Sequence, residues 1–228
     1  MDKILLKPLR SEIQYLGRFA NLAFGLLATP AALYQSLLKH LAKHGATLQS
    51  LKQEAPTLSD ANISCLLAEL SANSQVRLDR LEISFLRFHE VGAEIAHQIA
   101  LDSWAAVHEA DASITVVEHT IGITIYTQIQ GTSYDQVIGR YVKMPPGLQD
   151  AAHAGVAFDL SGDPARGERP GGIVLDRLIG QDQGLLLKVT AAFDAERVPF
   201  NTLAQATDTY LTQCLDLVGL VLDQGEGQ

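Results

Sequence analysis

Cysteine is nearly missing from this chain: two residues, Cys65 and Cys214, in 228. Two isolated thiols in apolar surroundings do not make a disulfide framework. They read as buried free cysteines of a reducing compartment, and a cytoplasmic location is expected. Long apolar runs are missing as well. MDKILLKPLRSE at the N-terminus has none of signal-peptide length, and FANLAFGLLA (residues 19–28) falls short of the roughly 20 residues that span a bilayer. Basic charge is scarce: 17 Lys and Arg stand against 26 Asp and Glu, a formal net charge of −9. That balance excludes nonspecific binding to nucleic acid and to anionic membranes. Recognised catalytic signatures are missing too. There is no G-x-S-x-G elbow, no G-x-G-x-x-G and no G-x-x-x-x-G-K-[ST], and neither cysteine has the electropositive setting that would activate it. No cofactor is expected, and the balance leans away from an enzyme.

What is present describes a globular protein. Hydrophobic residues make up 47% and charged residues 19%, enough apolar material for a sizeable core in one large domain or two small ones. The charge is uneven. Residues 1–54 hold 7 Lys and Arg against 3 acidic residues, while 55–228 hold 10 against 23. A weakly basic start on an acidic body favours internal docking or plain solvation over partner steering.

Periodicity supplies the elements. Leu22, Phe24 and Leu26 alternate and predict a strand leading into a helix that starts at Thr29-Pro30 and ends at Gly45. Thr29 serves as the cap and Pro30 as the first helical residue, with Leu33, Leu37 and Leu41 on the inner face. Residues 46–61 read as a loop with at most a short element. Strands follow at 62–71 and 75–88. In the second the apolar phase slips between Val76 and Leu81, so Asp79-Arg80 marks a bulge or tight turn. The helix at 90–109 is apolar in two directions, with Val91, Ile95, Ile99 and Ala106 on one side and Ala100, Leu101, Trp104 and Val107 on the other. Such a helix lies between layers or meets a partner.

The most legible stretch is HTIGITIYTQIQGTSYDQVIGRY, residues 119–141. Ile121, Ile123, Ile125 and Ile129 share one face and Thr124, Tyr126, Gln128 and Gln130 the other, as in a half-buried antiparallel strand. Ser133-Tyr-Asp-Gln136 fits a capping box, so a short helix begins there, and Pro145-Pro146-Gly147 stops it. Strands are predicted at 154–160, 171–179 and 185–193, with SGDPARGERPGG as a loop between the first two. A final amphipathic helix spans 201–222, capped by Asn201.

The order of elements repeats, giving α+β architecture with an antiparallel sheet, helices on one face, and two similar β-α-β(n)-α halves at 1–110 and 111–228. A shift of 101 residues places Ile123 on Leu22, Ile125 on Phe24, Tyr134 on Leu33 and Ile138 on Leu37. The order is similar to that of TATA-box-binding-like repeats and, more loosely, of helix-grip folds. That likeness is one of fold, and the acidic charge argues against carrying DNA binding over.

Three arrangements of chemistry compete with simpler readings. His40 and His44 have the H-x-x-x-H spacing of a metal pair, but Leu41 occupies the position of the zincin glutamate and no third ligand is evident. No metal is expected. His97, Trp104 and His108 share a side of the 90–109 helix, where an indole between imidazoles could anchor a partner or edge a core. Thr124, Tyr126 and Gln128 line the polar face of the 119–130 strand, where a ligand or partner could sit. Arg166 and Arg169, in the predicted loop, could meet an acidic partner. These residues point first to a non-catalytic binding or adaptor protein that holds a protein partner or a second copy of itself. A carrier of small apolar ligands is the alternative, and an enzyme using His97, His108 or His119 with a carboxylate is a third.

Overall fold

The computed structural model describes residues 3–55, 57, 60–143, 155–181 and 183–223. The chain begins on a long strand, β1 (Ile4–Phe19), followed by the short helix α1 (Phe24–Ala28) and the longer α2 (Ala31–Leu41). Then come four strands, β2 (Leu51–Glu54), β3 (Asn62–Leu67), β4 (Ala72–Arg77) and β5 (Arg80–Phe85). Helices α3 (Phe88–Val91) and α4 (Ala93–Ala110) lead to the long strand β6 (Val116–Ile129) and the short α5 (Tyr134–Ile138). Strands β7 (Val156–Leu160), β8 (Glu168–Arg177) and β9 (Gly184–Asp194), helix α6 (Phe200–Leu217) and the short β10 (Leu220–Leu222) complete it.

Among the described residues, ten strands form one sheet in the order β2-β3-β4-β5-β1-β6-β9-β8-β7, with β10 beside β1. Every pairing is antiparallel except that of β10, which runs parallel to the first residues of β1. The architecture is α+β, an antiparallel sheet with helices on one face. The alternation that marks β6 in the sequence is the alternation of burial. His119, Ile121, Ile123, Ile125, Thr127 and Ile129 are buried, while the residues between them are not. The inner face is closed by Leu33, Leu37 and Leu41 of α2 and by Ile99, Ala106 and Val107 of α4, all with no exposed surface. Their period of three and four is what a helix needs to lie on a sheet.

Several expectations are corrected. The first strand is not at 22–26: Leu22 and Phe24 are exposed, Phe24 opens α1, and the strand that pairs with β6 is β1. Its alternation is hidden by a register shift between Pro8 and Arg10. Proline gives no ladder hydrogen bond, so a bulge is where a strand accommodates it. The 101-residue correspondence therefore fails for the strands, and the internal duplication is not confirmed; Leu33, Leu37, Tyr134 and Ile138 share only their burial. Thr29 does not cap α2; it closes α1, its hydroxyl donating to the Gly25 carbonyl at 2.9 Å, and Pro30 is the cap residue. By contrast, the short element allowed for in the loop expected at 46–61 is edge strand β2, which pairs with β3.

Gly92, with φ of 81°, splits the 90–109 helix into α3 and α4. A left-handed residue cannot continue a right-handed helix, and glycine adopts that conformation at least cost. On α4 the buried face is Ala96, Ile99, Asp102, Ser103, Ala106 and Val107, while Ile95 faces solvent. Strand β8 starts at Glu168, so the last five residues of the expected loop, Glu168 to Gly172, belong to the sheet. Pro199, not Asn201, caps α6, and the helix ends before Gly219 turns the chain (φ 61°) into β10. Leu217, near its end, is exposed.

Other expectations hold. Gly45 ends the turn after α2 in the left-handed region, and the tight turn expected at Asp79-Arg80 lies one residue earlier, at Leu78-Asp79 between β4 and β5, where it accounts for the phase slip. Ser133 and Gln136 form the reciprocal capping box that starts α5. The Pro145-Pro146-Gly147 stop lies outside the described residues.

Gly17 shows how closely the inner face is filled. A Cβ there would lie 2.3 Å from the Tyr15 hydroxyl, whose ring folds over that position. Gly17→Ala is expected to push the phenol aside and cost about 2 kcal/mol, the usual scale of overpacking. Urea unfolding checks it: an unchanged midpoint would show that the ring has room to move.

Candidate functional site

The six residues singled out in the sequence fall into two groups separated by the sheet. Thr124, Tyr126 and Gln128 lie on the face turned away from the helices, half-buried, half-buried and exposed respectively. Register sets their neighbours on β1: Glu12 opposite Thr124, Arg10 opposite Tyr126 and Lys7 opposite Gln128. The Tyr126 hydroxyl donates to Glu12 Oε1 at 3.2 Å. Arg10 bonds the same carboxylate at 2.6 Å and holds its guanidinium 5.4 Å from the centre of the Tyr126 ring. Partial burial and the nearby Glu12 carboxylate raise the Tyr126 hydroxyl above its ordinary pKa. A half-buried aromatic ring on the face turned away from the helices is thus held by a cation above it and an acceptor at its tip.

The rest of that face has two characters. Toward one end its charges close on themselves. Arg169 bonds Glu118 and Asp194, each at 3.0 Å, and Glu82 takes Gln14 at 2.7 Å and Arg77 at 3.1 Å. Arg169 is therefore engaged within the sheet, and Arg166 reaches Asp163 at 3.4 Å. Toward the other end, exposed apolar side chains occur: Leu5 and Val221, register partners on β1 and β10, and Val174 on β8. A shallow depression of about 280 Å³ lies over Gly171 and Gly172, bordered by Lys188, Thr190 and Asp159.

Trp104, His97 and His108 lie in the helical layer. Trp104 stacks on Phe200 of α6 with centroids 5.7 Å apart and planes 12° apart, and exposed His108 lies 5.8 Å from it. Phe200 continues the contact inward to Tyr15 (5.3 Å) and to His119 (4.7 Å, edge-on). The Tyr15 hydroxyl and His119 Nδ1 share a hydrogen bond of 3.0 Å in the buried core. Burial pushes His119 down to about 4, although a main-chain bond to Val198 and the Asp194 charge pull the other way. The ring is therefore neutral at pH 7. His97 is half-buried on α4 and outside this aromatic chain. Thus His97, His108 and His119 do not gather around one carboxylate.

A different histidine does meet a carboxylate. His40 and His44 each take a separate acid from α4. His40 Nε2 is 2.7 Å from Glu109, which also holds Lys39, and His44 Nε2 is 2.7 Å from Asp102. Asp102 further accepts from Lys43 at 2.9 Å and from Gln98 at 3.2 Å. Burial works against its ionisation, but the bonds from His44, Lys43 and Gln98 outweigh it and hold the carboxyl below its ordinary range. This cluster borders a cleft of about 620 Å³ that Glu69, Leu70, Glu94 and Ile95 complete. Its clearest work is structural, tying the end of α2 to the middle of α4. Asp102→Ala is expected to cost about 1.5 kcal/mol, at the low end for bonds to a charged group because Lys43 returns to water. Thermal unfolding checks it: Asp102→Asn should recover part of the loss, and equal loss in both variants would assign the effect to charge alone.

Two of these features carried a signal in the sequence. His119 falls in phase with Ile121, Ile123 and Ile125, and a polar residue in a core phase marks a buried hydrogen bond. Asp102 falls three residues after Ile99 and four before Ala106 on the buried face of its helix. The partners, Tyr15 and His44, come from distant segments and carried none.

No protein-family model matches the chain, and no curated protein matches it. Among the described residues, no helix is long and apolar enough to cross a membrane.

Proposed function

We propose that the chain is a non-catalytic binding protein that holds a protein partner, or a second copy of itself, on the open face of its sheet. The observation that carries this reading is the arrangement of Tyr126, held by Arg10 and Glu12 on a face that no helix among the described residues covers. An aromatic side chain ordered before binding loses little entropy on association, and aromatic and arginine anchors dominate interface energies. Leu5, Val221 and Val174 supply apolar surface on the same face. A carrier of small apolar ligands would need room between sheet and helices, where Leu6, Leu33, Leu37, Ile83 and Ile99 are fully packed.

The test joins sedimentation velocity with affinity capture of partners by the wild-type chain. Tyr126→Ala is expected to weaken the association by about 2 kcal/mol, roughly 30-fold. Ile95→Ala, on the solvent side of α4, should leave it unchanged. A strict monomer that captures nothing, or an association untouched by Tyr126→Ala and Arg10→Ala together, would overturn the reading.

A further inference from the structure

We draw no further inference here: the strongest candidate, the cleft between the end of α2 and the first turns of α4, brings His44 to Asp102 but commits both Lys43 and Gln98 to that same carboxylate, so nothing in the structure shows a donor for a substrate or an occupant for the space.

Discussion

Acidification from pH 7 to pH 4 is expected to remove about 3 kcal/mol of folding stability through one side chain, His119. The unfolded imidazole titrates near 6.5, and burial between β1 and α6 lowers it to about 4 in the native state. Between those values the unfolded chain binds a proton that the native chain refuses. Stability is therefore greatest above the unfolded value and falls as the pH drops toward the folded one. Carboxylates held below their ordinary range, Asp102 and Asp194 among them, lose their contribution only near and below about pH 4. The interval from about 6.5 to 4.5 thus belongs to the histidine. Urea unfolding at closely spaced pH values measures the slope. His119→Gln, which has no proton to gain, should be less stable at pH 7 yet flat through this interval; an equally steep slope in the variant would remove His119 as the cause.

Phe200→Ala is expected to cost about 3 kcal/mol, the lower end for a large aromatic truncation because the ring is half-buried. In a chain of this length that lowers the melting temperature by roughly 6–12 °C. The ring is the common neighbour of Trp104, Tyr15 and His119. Removing it opens the contact of α6 with α4 and with the sheet together. Trp104 is the single tryptophan, so intrinsic fluorescence reports the change directly. Its emission should shift to the red in Phe200→Ala and stay in place in Leu217→Ala, which alters an exposed position of the same helix. Unchanged emission in Phe200→Ala would mean that the indole does not depend on this stack.

The parts of the fold that could be read in advance are those where one physical pattern ran without interruption. Strand β6 keeps its alternation across its whole length, and α2 keeps its leucines at helical spacing. The class of fold, the open face and the placing of Tyr126 on it all follow from those patterns. Strand β1 stayed hidden because a bulge at Pro8–Arg10 moves its inward residues from even to odd positions. Strand β2, LKQE, has no apolar alternation and exists because β3 offers it an edge. Gly92 breaks a helix whose apolar spacing continues across it. The candidate site divided for a similar reason. Periodicity tells which face a residue occupies but not which elements share that face, so Trp104 and Tyr126 stood together in the sequence and ended on opposite sides of the sheet. Likewise, the spacing of His40 and His44 said nothing of the two separate carboxylates that claim them.

Strand β1 also has a consequence for how the chain folds. Its neighbours lie far along the sequence: β5 pairs at Ile13↔Phe85, β6 at Ile13↔Ile123 and β10 at Ile4↔Leu220. The strand at the centre of the sheet is thus the first to be synthesised and the last to gain all its partners. Contacts of such long sequence separation close slowly, and an unpaired central strand is an exposed template until they do. The polar and charged residues along β1, from Lys7 through Arg10, Glu12, Gln14 and Arg18, would keep that waiting strand in solution.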